Sequence, residues 1–192
     1  MTERKYFPVI VSSPSGGGKS CICREILKRN KDIVYSISYT TRPPREKEKD
    51  GMDYFFVSKK EFRKMRSAEE FLEWAKVHEH YYGTSRKVIE NALSREKFII
   101  LDIDTKGTKK FLKRMPETLS IFLFPPSMNV LEKRLRNRNT DDEKTIQLRL
   151  RNARKELADS WFYDLFLIND EISNVVDKIL LEIKNKSEGV YT

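Results

Sequence analysis

The sequence predicts an α/β protein: a three-layer core around a parallel sheet, carrying a small α+β insertion and a charged helical excursion. Three observations predict it. Short apolar runs bounded by turn residues recur at 8–12, 98–102, 119–124 and 162–168. Stretches of helical spacing separate them, and alternation of this kind builds parallel sheets covered on both faces. Between the first helix and Phe98 the rhythm changes to short aromatic-rich runs, which marks an insertion rather than another core layer.

Taken in order, Pro8-Val-Ile-Val-Ser12 is rich in β-branched residues and predicts a buried strand. A glycine turn follows at once, and 19–30 predicts a helix with Cys23, Ile26 and Leu27 on one side. In the insertion, 36–40, 54–57 and parts of 74–82 predict short strands, with 60–65 helical between them. Residues 98–102 form the next core strand, followed by Thr105-Lys-Gly107 and a lysine-rich helical stretch. The strand at 119–124 is halted by Pro125-Pro126. Residues 129–157 predict helix, dense in charge and broken near 137–142, and 175–184 predicts the closing helix.

Composition sets bounds on function. A chain of 192 residues suffices for one domain with insertions. Hydrophobic residues at 39% and aromatics at 11% exclude a disordered chain. The apolar runs are far too short to cross a bilayer, and the N-terminus lacks a signal-peptide pattern, so a cytoplasmic location is expected. The net charge of +9 favours an anionic partner, and by itself leaves nucleic acid, membrane and phosphorylated metabolite open. Cys21 and Cys23 fall on different helix faces, too few for a disulfide framework, and read as small buried packing residues.

The stretch "SSPSGGGKS", from Ser12 to Ser20, lies between the first strand and the first helix, the context of a phosphate-binding loop. Backbone N–H groups at a helix start, aided by the helix dipole, cradle phosphate oxygens, and glycines permit close approach. Ser13, Pro14, Ser15, Gly16, Gly17, Gly18, Lys19, Ser20 and Cys21 are therefore the candidate residues for binding a nucleotide's phosphates. Lys19 would meet the outer phosphates and Ser20 would offer its hydroxyl to Mg²⁺. Ser13 departs from G-x-x-x-x-G-K-[ST], which has glycine there. Asp102, at the end of an apolar strand, suits a carboxylate beside that metal, or simply the cap of a turn.

In the insertion, Thr40-Thr-Arg-Pro-Pro-Arg45 sets two guanidinium groups on a proline-stiffened turn, suited to a second phosphate. Glu48, Tyr54, Glu73 and Tyr81-Tyr-Gly-Thr-Ser85 follow; phenols suit phosphate, and carboxylates suit a base edge that displays N–H donors.

Ser36-Ile-Ser-Tyr-Thr-Thr-Arg-Pro-Pro-Arg45, Asp50-Gly-Met-Asp-Tyr-Phe-Phe-Val-Ser58, Phe71-Leu-Glu-Trp-Ala75, Tyr81-Tyr-Gly-Thr84, Asp102-Ile-Asp104 and Leu167-Ile-Asn-Asp170 resemble guanylate kinase, in order and spacing, over nearly the whole chain. The resemblance implies a P-loop core (1–36, 91–127 and 158–192), a GMP-binding insertion (37–90) and a lid (128–157). It implies Mg²⁺-dependent phosphoryl transfer from ATP to GMP, with dGMP as a further acceptor. Residues matching Arg42, Arg45, Tyr54 and Tyr82 would hold the GMP phosphate. Those matching Ser38, Glu73, Thr84 and Asp104 would contact or orient guanine, and Glu48 belongs to the same acceptor group. Asn169 would join the ATP side. Arg134, Arg138 and Arg149 resemble the lid arginines that act with Lys19 on the transferring group, whereas Arg136 and Arg151 are expected to face solvent. Lys106 stands where the family commonly has glutamine, and Asn139 where glycine is common.

The partners expected are thus the nucleotides ATP and GMP, with neither nucleic acid nor membrane, and monomer against homo-oligomer left open. Two rivals keep the fold: a guanylate-kinase-like module that binds a protein, and a kinase for another monophosphate. Lys19, Ser20 and the arginines argue against the first, Glu73 and Asp104 against AMP as acceptor.

Overall fold

The computed structural model describes residues 5–77, 79–137 and 142–190. Strand β1 (Pro8–Ser12) leads through the glycine turn into α1 (Lys19–Arg29), then β2 (Ile33–Tyr35). The insertion follows: β3 (Tyr39–Thr40), β4 (Phe55–Phe56), α2 (Lys59–Ser67), β5 (Phe71–Val77) and β6 (His80–Ser85). The core resumes with α3 (Arg86–Leu93), β7 (Phe98–Leu101), α4 (Thr105–Arg114) and β8 (Leu119–Phe124). Helices α5 (Met128–Arg136) and α6 (Glu143–Ala158) precede β9 (Leu165–Ile168) and α7 (Ile172–Glu188).

The core sheet has the order β2-β7-β1-β8-β9, and its pairs are parallel. Alternation along β1 divides its side chains between two cores. Val9 and Val11 face α1 and α7, meeting Ile22, Cys23, Ile26, Val175, Val176 and Ile179. Ile10 faces the other way, with Leu101, Phe122, Phe111 of α4 and Ile89 of α3. Strands buried on both faces read as continuous apolar runs, which is why "PVIVS" and "FIIL" stand out in the sequence. Truncating a fully buried isoleucine such as Ile10 to alanine would cost about 2–5 kcal/mol.

The smaller sheet has the order β4-β3-β6-β5, with β3–β4 parallel and the other pairs antiparallel. A capping box starts α2: Ser58 accepts from the Glu61 backbone N–H and Glu61 accepts from that of Ser58. Phe62 of α2 then stacks on Phe71 of β5 with ring centroids 4.5 Å apart. Helices α5 and α6 share a separate cluster, Leu131, Leu135, Ile146, Leu150 and Ala153. Arg136 is not simply solvated; it bridges Glu132 of α5 and Glu143 of α6.

The three-layer arrangement matches the α/β expectation. Two local expectations need correction. Strand β2 and helix α3 lie in stretches for which no element was expected. Ile89 and Ala92 of α3 are buried against the core sheet. The last strand starts at Leu165 rather than at 162, because Phe162 and Tyr163 pack onto the core as a turn. Among the described residues no helix is long and apolar enough to cross a membrane.

Candidate functional site

In a parallel sheet, sites form at the carboxyl ends of the strands, near the point where the strand order reverses. Here β1 lies between β7 and β8, so the loop after β1 and the aspartate after β7 sit side by side. Ser20 Oγ donates to Asp102 Oδ2 at 3.3 Å. The end of β9 supplies Asn169, whose side-chain amide donates to Gly17 O at 2.6 Å.

Within the loop, Gly16 and Gly18 have φ of +87° and +96°, the left-handed region that glycine adopts without a Cβ penalty. Ser13 has no positive φ, so its side chain carries no backbone strain. It is buried, and its hydroxyl donates to Pro14 O at 3.0 Å. Lys19 folds back so that Nζ donates to Ser13 O at 2.7 Å. Burial pushes the Lys19 ammonium below its ordinary pKa, opposed by the nearby charges of Asp102, Glu156 and Asp104. The loop thus holds a partly buried cation on one of its own carbonyls.

On the lid side, Arg134 of α5 donates to Asn169 O at 3.1 Å, and its guanidinium lies about 4.0 Å from where a Cβ on Gly18 would stand. Arg149 lies half-buried on α6. Arg138 and Asn139 lie outside the described residues.

Facing the loop, a cleft of ≈ 170 Å³ opens between the core and the smaller sheet. Ser38, Tyr54, Glu73, Tyr82 and Asp104 line it, together with Tyr35 and Asp102. Glu73 is only 7% exposed; burial raises its pKa, while a 2.7 Å hydrogen bond from Thr84 Oγ1 works in the opposite direction. Asp104 caps α4, accepting from the Gly107 N–H at 2.7 Å. The tightness of the place shows at Gly107, where a Cβ would lie 3.2 Å from both Asp104 Oδ1 and Glu73 Oε2.

At the outer end of the cleft, Tyr54 and Tyr82 meet edge to face at 5.9 Å, and the Arg42 guanidinium lies over Tyr54 at 5.4 Å. Glu48 organises this end: one oxygen accepts from Arg42 at 2.8 Å and the other from the Arg45 backbone N–H at 2.8 Å. The hydrogen bond from Arg42 chiefly holds the Glu48 carboxyl below its ordinary pKa. Both Glu48 oxygens therefore serve the arginine turn. The Arg45 guanidinium is exposed.

The guanylate kinase family model matches residues 5–185. The chain belongs to the guanylate kinase family. It is 46% identical to the guanylate kinase of Carboxydothermus hydrogenoformans, covering 89% of this chain and 84% of that protein. The guanylate kinase of Bartonella henselae is 47% identical, with 92% and 80% covered. Among solved structures, a guanylate kinase from Anaplasma phagocytophilum superposes with a TM-score of 0.79 at 32% identity, covering 97% of this chain and 89% of that one.

Against this family the structure gathers most of the residues singled out in the sequence, and adds three. Tyr35 donates to Asp102 Oδ1 at 2.5 Å, and burial keeps its phenol protonated. It ends β2, a three-residue strand with only one fully buried residue, so no period marked it. Asp53 also lines the cleft. Glu156 of α6 is half-buried beside Lys19's charge, and burial raises its pKa. It sat in a charged helical run that offered no distinguishing signal. Cys23 is buried as expected, while Cys21 is exposed on the first turn of α1, contrary to its reading as a packing residue.

Proposed function

We propose that this guanylate kinase family member transfers the γ-phosphoryl group of ATP to the phosphate of GMP, giving ADP and GDP, and accepts dGMP in the same cleft. The observation that carries the reading is the meeting of Glu73 and Asp104, from two different sheets' elements, in one cleft with Ser38, Tyr54 and Tyr82. Guanine displays N–H donors at N1 and at its 2-amino group, which carboxylate oxygens accept; adenine presents an acceptor at N1. Thr84 orients Glu73 through its hydroxyl. The acceptor phosphate would lie among Arg42, Arg45, Tyr54 and Tyr82, with Glu48 holding the two arginines in place.

The donor phosphates would lie on the N–H groups of 15–20, where Lys19 exchanges Ser13 O for a phosphate oxygen. Asn169 steadies the loop from behind through Gly17 O. Ser20 Oγ and Asp102 converge as hard oxygen donors, a set that fits Mg²⁺ completed by phosphate oxygens and water. Bound there, Mg²⁺ would neutralise developing charge between the β- and γ-phosphates. The acceptor is already an ionised phosphate oxygen, so no general base is required. Positioned cations, Lys19 with Arg134, Arg138 and Arg149, would stabilise charge spreading over the transferring group. In this reading 1–36, 91–127 and 158–192 form the ATP core, 37–90 the acceptor insertion and 128–157 the lid, closing over both nucleotides to exclude water.

The test is a coupled assay of ADP release with MgATP and either GMP or AMP, run beside thermal shifts with each monophosphate. GMP-dependent ADP release and stabilisation by GMP are expected. ADP release that is indifferent to GMP, from folded protein, would refute the reading.

A further inference from the structure

Glu73 and Asp104 belong to different parts of the molecule, so something must fix their separation. Asp104 caps α4 in the core, and Glu73 lies on β5, the edge strand of the smaller sheet. An edge strand presents carbonyls that no neighbouring strand pairs. Two of them, at Phe71 and Trp74, bracket Glu73, and both are taken by α4. Arg114 Nη1 donates to Phe71 O at 2.5 Å, and Lys110 Nζ donates to Trp74 O at 3.0 Å. Residues 110 and 114 are one helical turn apart and so share a face. The Lys110 ammonium also lies 5.4 Å from the Trp74 ring centroid, and the Arg66 guanidinium 5.0 Å. At the other end of α4, Gly107 lets Glu73 approach Asp104 at a spacing that a Cβ would crowd.

We propose that Lys110 and Arg114 are positioning residues for base selection: by holding the β5 carbonyls on either side of Glu73, they fix its carboxylate against Asp104. This rests on the acceptor reading above. A base is discriminated only when acceptors sit at hydrogen-bond distance from its donors, and a carboxylate free to drift loses selectivity before it loses turnover. Neither side chain lines the cleft.

The test is the double variant K110M/R114M, in which methionine keeps an apolar stem but removes the donors, compared with R114K, which leaves Lys110 in place and keeps a cationic donor at 114. Steady-state kinetics would be measured with GMP and with inosine monophosphate, which lacks the 2-amino group. In the double variant we expect KM for GMP to rise about 10-fold, kcat to change less than about 3-fold, and preference for GMP over inosine monophosphate to fall about 5-fold, with KM for MgATP unmoved. R114K should recover most of the preference. A purely structural strut would instead lower the melting temperature and depress turnover of both acceptors alike; an unchanged preference ratio in active, folded double variant overturns the proposal. A wild-type protein without GMP-dependent activity would remove the acceptor reading and this inference with it, whereas wild-type activity with an unmoved ratio removes this inference alone.

Discussion

Residues 13–20, the proposed phosphate loop, are contiguous and offer backbone N–H groups, two left-handed glycines and one lysine. The proposed acceptor cleft is lined by side chains drawn from residues 35 to 104, on β5, β6, the strand ends and the N-terminus of α4. The loop's chemistry is local. The cleft depends on how two sheets are held together. A strand–turn–helix that cradles phosphate suits any nucleotide, so it says little about which reaction follows. A dispersed set of side chains with complementary chemistry is far harder to assemble by chance, and the proposed function places selectivity there.

The largest effect should come from breaking the loop's cation. Lys19→Met should lower kcat by about 10³-fold, with the circular-dichroism spectrum retained, because a desolvated ammonium is worth most where charge develops. Steady-state rates at saturating MgATP and GMP check it. A loss of less than about 10-fold would mean that the arginines carry the charge without Lys19.

Glu73→Gln addresses the other region. We expect kcat/KM for GMP to fall about 10–100-fold, with KM for MgATP moving little, since one acceptor becomes an amide that cannot receive both guanine donors. The same change should raise the melting temperature of the nucleotide-free protein. The sign follows from the raised pKa of the buried Glu73: its ionised form is disfavoured in the fold, so stability is lost as pH rises through its folded value and gained as pH falls through it. Binding runs the opposite way, because GMP needs the carboxylate. KM for GMP should therefore climb as pH falls through that raised value, beginning above the ordinary glutamate range near 4.3. A KM profile as flat in wild type as in Glu73→Gln would break this assignment.

The same contrast explains what the sequence disclosed. Residues 8–11 and 98–101 are apolar throughout because both faces are covered, and such runs announce themselves. The loop is contiguous and was legible as a motif. Tyr54 and Glu73 stood out as a phenol and a carboxylate following the arginine turn, and Asp104 through resemblance to a family; nothing in local periodicity says that residues 73 and 104 meet. Tyr35, Lys110, Arg114 and Glu156 act through neighbours that only the fold supplies. A three-residue strand and a lysine-rich helix carry no sign of the carbonyl or carboxylate they will face.

Tyr35→Phe tests a smaller link between the two regions. Tyr35 fixes Asp102 from the acceptor side while Ser20 reaches it from the loop. Removing one hydrogen bond to a carboxylate is worth about 1.5–3 kcal/mol at most, and rearrangement of Asp102 will recover part of it. We expect a several-fold rise in the Mg²⁺ concentration needed for half-maximal activity. A matching weakening is expected in calorimetric binding of ATP with Mg²⁺, but not of ATP without it. Equal weakening with and without Mg²⁺ would place Tyr35's effect elsewhere.

Ser13→Gly should be the mildest change. A serine at the first loop position would be costly if that residue had to be left-handed, by about 1–2 kcal/mol. It does not: the positive φ values fall at Gly16 and Gly18, and Ser13 lies in ordinary backbone with its side chain buried. What Ser13 contributes to the site is its carbonyl, which holds Lys19, and glycine supplies the same carbonyl. The expected result is a change in ATP affinity of no more than about 3-fold, offset in stability by the greater freedom of glycine in the unfolded chain. A gain of 10-fold or more in kcat/KM for MgATP would show that the buried hydroxyl holds the loop away from its working geometry, and that the departure from the glycine pattern impairs the enzyme.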